Sequence, residues 1–372
     1  MTDTTSSEGK FAPGEHPDLR PPPGTVGFVG WIRQNLFPSV TSSILTLISI
    51  YLLYLIVPPL IDWVILDAQV SGSSRTDCTN EGACWALVRV RFFQFMYGFY
   101  PENEYWRVNL AGIGMLVALI PVLFDKAPFR KAGLIFACIY PVIAFFLLTG
   151  GLGLDPVETS RFGGLMLTVV IGVTGIVASL PIGIVLALGR RSQMPIVKTL
   201  CICFIEFIRG VPLITVLFFS SVMLPLFLPE GVNFDKLLRA LIGVSLFSSA
   251  YMAEVIRGGL QAIPKGQYEA AQALGLSYWK MMGLIVLPQA LKIVIPGIVS
   301  SFIGLFKDTT LVIIIGLFDL LGIAKAAVTD AQWIGLVEEA YMFAGFVFFI
   351  FCFSMSRYSL YLEKKLHTGH KR

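Results

Sequence analysis

The run FGGLMLTVVIGVTGIVASLPIGIVLAL, residues 162–188, decides the fold class. It carries no charged residue, and at 27 positions it exceeds the roughly 20 that an α-helix needs to cross about 30 Å of hydrocarbon. It therefore reads as a membrane span. Runs of comparable length at about 38–61, 108–124, 131–150, 200–228, 237–255, 290–318 and 333–356 bring the expected spans to about eight. The fold class is an all-α polytopic membrane protein. The run at 200–228 is the least regular, because Glu206, Arg209 and Pro212 interrupt its first half. It reads either as two shorter helical pieces or as one helix entered at an angle.

Composition agrees. Of 372 residues, 55% are apolar and 14% charged, against about 25% charged in a soluble domain. The net charge of +4, from 28 basic and 24 acidic residues, is too small and too evenly drawn for a nucleic-acid binder. A lipid bilayer is the expected partner, and the 35 glycines suit close helix–helix approach within it.

Orientation follows from Lys and Arg, which collect on the cytoplasmic side. With the N-terminus inside, eighteen basic residues fall on inside segments and eight outside, leaving Arg209 and Lys307 within spans. Both termini are thus expected in the cytoplasm. Residues 1–37, with Pro13, Pro17 and the run Pro21 to Pro23, cannot bury a core and read as a flexible cytoplasmic tail. No basic start runs directly into an apolar stretch, so the first span is expected to serve as a signal anchor. Three spans over 38–160 form an extension ahead of a five-span core at 161–372.

The long outside loop, 62–107, contains Cys78 and Cys84, which in an oxidising compartment would either close a small disulfide loop or remain two thiols. Its aromatic stretch 85–100 is expected to lie at the membrane interface, rings toward lipid. Cys138, Cys201, Cys203 and Cys352 lie in spans and read as packing residues. With His16, His367 and His370 all in the tails, no metal site is expected.

Between the sixth and seventh spans, 257–289 is punctuated by Gly258, Gly259, Pro264, Gly266, Gly275 and Pro288. Tyr268 to Leu274 reads as a short helix of strong formers with Ala on one side. Gly275 supplies a turn that a Cβ would resist, and Ser277 is placed to cap a second helix from Tyr278. Two short helices at a sharp angle make a rigid knob.

Here the chain runs Glu269-Ala270-Ala271, three residues, Gly275, nine residues, then Ile285-Val286-Leu287-Pro288. This resembles the EAA loop of permease subunits of bacterial ATP-binding-cassette (ABC) importers. The resemblance implies that the knob docks in a groove of a cytoplasmic ATPase, with Glu269 and Gly275 at the contact. The segments EFIRGVPL at 206–213, AEVIRGGLQAIPKGQ at 253–267 and KDTTL at 307–311 further resemble polar amino-acid permeases of the histidine and glutamine type. The three extra spans look like the M-type permease of the general L-amino-acid importer. That family implies a type I importer core, a second permease subunit that is either a related chain or another copy of this one, two copies of the ATPase, a periplasmic amino-acid-binding protein and residence in the bacterial inner membrane.

Charges inside spans are candidates for a substrate path or for pairing. Glu206 and Arg209, three apart, share a helix face and can pair or contact substrate. Glu254 and Ser249 are further path candidates, although of the polar residues just before Glu254 only Tyr251 shares its helix face. Lys307, Asp308, Thr309 and Thr310 offer the groups that the carboxylate and ammonium of an amino acid would seek, the alternative being that Lys307 and Asp308 each pair with another helix. No phosphate loop of the form G-x-x-x-x-G-K-[ST] occurs, so no cofactor is expected in this chain, and ATP and Mg are expected in the partner ATPase. The chain is read as a transport subunit and not an enzyme. An ion-coupled secondary amino-acid carrier is the alternative, and it would want duplicated halves that the sequence does not display.

Overall fold

The computed structural model describes residues 27–124, 126–229 and 234–366. The expected tail up to position 26, together with His16, His367 and His370, lies outside the described residues. In chain order the helices are α1 (Gly27–Asn35), α2 (Val40–Ile61), α3 (Ala86–Val90), α4 (Phe92–Tyr97), α5 (Tyr105–Leu123), α6 (Arg130–Thr149), α7 (Gly164–Arg190) and α8 (Pro195–Gly210). They continue as α9 (Leu213–Phe218), α10 (Lys236–Ala262), α11 (Lys265–Ala273), α12 (Tyr278–Met281), α13 (Leu287–Ile293), α14 (Ile295–Asp308), α15 (Leu320–Ala327) and α16 (Val337–Leu366). Among the described residues there is no strand. Seven helices are long and apolar enough to cross a bilayer, and an eighth crossing is completed if the bent pair 195–227 counts as one.

The chain divides into two units, 1–68 with 80–83, and 69–79 with 84–372. In the first, α1 corrects the reading of 27–35 as tail. Phe28, Val29, Trp31 and Ile32 supply helical apolar residues, and Leu36 N–H closes onto the Ile32 carbonyl. Ser39 caps α2 by accepting from Ser42 N–H at 3.2 Å. No residue of α2 is buried by protein, and a helix apolar all round with no protein cover suits a membrane span facing lipid.

In the second unit α7 and α10 pack side by side. Gly172, Gly175 and Gly183 let neighbours come close: a Cβ there would stand within 2.9 Å of Phe306, Leu305 and Met252 side-chain atoms. The irregular fifth run resolves into two pieces, with α8 and the 213–227 segment bent by 105° at Val211-Pro212. Pro212 lacks the N–H to continue α8 and holds its own φ at −59°. Three element bounds differ from expectation. The helix of the sixth span runs on to Ala262, so 257–262 belongs to α10 and not to the loop: Arg257 pairs back to Glu254, and the helix continues through Gly258 and Gly259, the latter packed so closely on Ala290 that a Cβ would lie 2.6 Å from its carbonyl oxygen. The final span starts at Val337, since the preceding turn buries Trp333 completely. The seventh run breaks at Val294 and ends in a seven-residue 3₁₀ stretch, Thr309–Ile315, that buries Thr309, Val312 and Ile315 and closes on Gly316 at φ +72°.

At the N-terminal end of α7, residues 69–79 and 84–101 form a cap on α15 and the start of α16. Cys84, Ala86, Leu87 and Phe95 share one apolar core with Leu320, Ile323, Ala324, Trp333 and Ala340. The expected interfacial segment is thus only partly outward: Phe93 stays exposed, while Phe95 and Tyr100 are buried by protein. Cys78 and Cys84 are disulfide-bonded, Cα atoms 5.9 Å apart. The Cys84 N–H donates to buried Glu339, Arg75 donates to the Ile334 carbonyl at 2.6 Å, and Arg91 pairs with Asp330. Gly164, at φ +62°, meets the Phe95 carbonyl so closely that a Cβ would lie 2.3 Å from it.

Candidate functional site

The knob is built at the other end of α7. Its first helix, α11, ends at Leu274 and Gly275: the Gly275 N–H donates to the Gln272 carbonyl at 2.9 Å and the Leu276 N–H to the Ala271 carbonyl at 3.2 Å. This pairing closes a helix with a left-handed residue, and Gly275 supplies it at φ +70°. Leu276 then packs into the core that buries Ala271, Met281, Met282 and Val286. Helix α12 starts at Tyr278 as expected, but the Ser277 hydroxyl makes no capping bond. The remaining motif residues divide by exposure. Glu269, Ala270, Gly275 and Pro288 are exposed, Ile285 and Leu287 half-buried, and Ala271 buried. A Cβ on Gly275 would meet nothing within 4 Å. Leu274 and Trp279, 76% and 73% exposed, flank it.

Two side chains tie the knob to the bundle. The Tyr268 hydroxyl donates to the Leu260 carbonyl of α10 at 3.1 Å and accepts from Arg191, which also donates to Leu260 at 3.0 Å and lies over the Tyr268 ring. Gln289 of α13 donates to Gln267 of α11 at 3.1 Å.

Beside these contacts the helix ends share one ionic network. Arg190 pairs with Glu206 at 2.7 Å and Glu254 at 2.9 Å, Arg257 with Glu254 at 2.8 Å, and Arg209 with Glu254 at 3.6 Å and Glu206 at 4.0 Å. Arg209 also lies over the Tyr251 ring. The expected Glu206–Arg209 pair is therefore one edge of a cluster that takes in Glu254. Sequence reasoning missed Arg190, Arg191 and Arg257, because as basic residues at helix ends they served only to orient the chain. Their spacing from Glu206 and Glu254 carries no local signal.

The path candidates separate. Ser249 is fully buried and its hydroxyl donates to the Ser245 carbonyl. Thr309 is buried and donates to the Phe306 carbonyl at 2.8 Å, while Thr310 donates to the Lys307 carbonyl at 2.9 Å. Lys307 is exposed and lines a cleft of about 420 Å³ between α14 and α16 with Ser300, Ser356, Ser359 and Glu363. Asp308 is half-buried on the adjoining face.

Comparison with known proteins places this architecture. The model of the family described as binding-protein-dependent transport system inner membrane component matches residues 179–368. An inner membrane amino-acid ABC transporter permease protein of Escherichia coli, YhdY, is 57% identical over 341 residues, 91% of this chain and 93% of that protein. The glutamate/glutamine/aspartate/asparagine transport system permease protein BztC of Rhodobacter capsulatus is 45% identical, covering 98% of this chain and all of that one. A crystal structure of an amino acid ABC transporter with histidines is 28% identical, covering 54% of this chain and 92% of that chain at a TM-score of 0.48. None of these relatives supports an ion-coupled carrier. The chain belongs to the binding-protein-dependent transport system inner membrane components, among the amino-acid ABC transporter permeases.

Proposed function

We propose that this permease carries L-amino acids across the inner membrane as one half of a permease pair, powered by two copies of a separate ABC ATPase that hold the ATP and Mg. A periplasmic binding protein delivers the substrate. Both termini lie in the cytoplasm, which puts the α11–α12 knob on the ATPase side. The observation that carries this reading is the knob itself: a left-handed Gly275 facing open space, flanked by exposed Leu274 and Trp279, on helices anchored firmly behind. An apolar surface of that kind on a rigid mount suits a protein partner. Glu269, Ala270, Gly275 and Pro288 form the contact, and Ala271, Ile285 and Leu287 hold it from behind. Lys307 and Asp308 stand on the substrate path, with Thr309, Thr310, Glu254 and Ser249 supporting its walls. Substrates of the acidic amino-acid and amide class are favoured, as the name of the Rhodobacter relative has it.

Reconstituted vesicles test this directly. ATP-driven uptake of radiolabelled L-glutamate or L-glutamine is expected, and Gly275→Trp should abolish it while the protein remains in the membrane and its ATPase no longer co-purifies. Full uptake by that variant would refute the docking. Purification of the permease with no ATPase would refute the importer reading.

A further inference from the structure

Arg190 and Arg191 are consecutive at the end of α7, and on a helix of 3.6 residues per turn neighbouring side chains point about 100° apart. One faces the ionic network and the other the knob. Arg191 reaches Tyr268, the residue before Glu269, while Arg190 reaches Glu206 and Glu254. Glu254 holds Arg209, which directly precedes Gly210 and the 105° bend between α8 and α9. From Tyr268 to the bend every step is a contact of 3.6 Å or less, with one peptide bond between the two arginines.

We infer that Arg190 and Arg191 form a two-arginine link that transmits displacement of α11 to the bend of the broken helix. The inference rests on the coupling role proposed for the knob. Tyr268, Arg191, Arg190 and Glu254 are positioning residues in this link. The geometry favours this route over a loose packing contact because Arg191, Tyr268 and the Leu260 carbonyl form a closed triangle with sides of 3.0 to 3.1 Å, so α11 cannot shift without moving either α10 or the end of α7. Arg190 in turn grips two helices with one nitrogen, Nη1, at 2.7 and 2.9 Å. Any displacement of the α7 terminus therefore loads α8 and α10 together.

The test uses the complete transporter, assembled from this permease, its second permease, its ATPase and its binding protein, in proteoliposomes. Uptake of a radiolabelled L-amino-acid mixture and release of phosphate are measured in the same vesicles. Tyr268→Phe removes one oxygen and keeps the ring. It and Arg191→Ala are each expected to lower amino acid imported per ATP hydrolysed about fivefold or more, with hydrolysis within about twofold of the unsubstituted complex. Arg191→Lys, which keeps the charge but loses the planar guanidinium that lies over the Tyr268 ring, should fall as well. The double variant should be no worse than either single one, as expected of residues acting through one link. Lys265→Ala, exposed on α11, should leave the ratio unchanged. An unchanged ratio in the single variants, additive losses in the double variant, or a fall in uptake matched by loss of assembled complex would each overturn the link. An unsubstituted transporter that imports nothing with ATP would instead overturn the proposed function.

Discussion

The guanidinium of Arg190 and the carboxylate of Glu254 meet at 2.9 Å, joining the last residue of α7 to α10. Glu254 is the hub of this cluster: its side chain is 15% exposed and touches three arginines. Glu254→Gln would leave those cations around Glu206 alone, at a cost below the roughly 3–5 kcal/mol of a fully buried pair losing one partner, because the three arginines are 21–34% exposed; about 2–3 kcal/mol is expected. Glu206→Gln should cost under about 1 kcal/mol, because that side chain is 53% exposed. Thermal unfolding of the two variants in detergent checks the difference.

Gly164 and Gly112 separate backbone demand from helix propensity. Gly164→Ala forces a Cβ to 2.3 Å from the Phe95 carbonyl carbon–oxygen group at a positive φ, so a loss of at least about 3 kcal/mol is expected. Gly112 faces open space, and Gly112→Ala should be neutral or gain up to about 1 kcal/mol. The same melting measurement reads both.

Asp319 caps α15 by accepting from the Gly322 N–H at 2.9 Å, and burial pushes its carboxyl up to about 6 despite the Gly322 and Leu321 N–H groups. Its unfolded value is about 3.9, so between about pH 4 and 6 the folded state binds more protons than the unfolded one. This carboxyl therefore lowers stability as pH rises through that window, by up to about 3 kcal/mol, and contributes no further change above it. Asp319→Asn should match the unsubstituted protein at pH 4 and melt higher at pH 7.5. Equal melting at both values would show that Asp319 does not titrate there. Asp77 behaves oppositely, since the Ser73 N–H and hydroxyl hold its carboxyl below the usual range and its contribution is lost only at lower pH.

The disulfide links two anchors of the cap, Arg75 through Cys78 and Glu339 through Cys84. Closing so short a loop contributes about 2 kcal/mol in the chain-entropy account. Replacing both cysteines by serine should open 70–84 to proteases without releasing α3 and α4, because Ala86, Leu87 and Phe95 still hold them in the apolar core that Cys84 shares. Mass spectrometry of the first cleavage products identifies the site.

Much of this was legible in the sequence, for physical reasons. Uninterrupted apolar runs have few alternatives to spanning, and Glu206, Arg209 and Pro212 announce the broken helix. Gly275 announces the turn because a left-handed residue after a run of helix formers has few other uses. What stayed hidden is long-range. Arg190 and Glu254 are far apart in the chain, as are Arg91 and Asp330, and a charge carries no mark of its partner. Phe93 and Phe95 read alike as aromatic residues, yet one is exposed and the other packs against Phe343. Apolarity alone does not distinguish lipid from protein as the neighbour.

The 3₁₀ stretch Thr309–Ile315 gives the seventh crossing two pitches. At about 2.0 Å per residue against 1.5 Å in an α-helix, its seven residues reach about 14 Å where α-helix would reach about 10 Å. Its three-residue repeat lines Thr309, Val312 and Ile315 in a single inward row, where an α-helix would spiral them off that face. Rewinding the stretch to α-helix would draw Gly316 toward Lys307 by about 3–4 Å and twist the two relative to each other. Such a rewinding would change length and rotation together at one place, just beyond the lysine that lines the cleft.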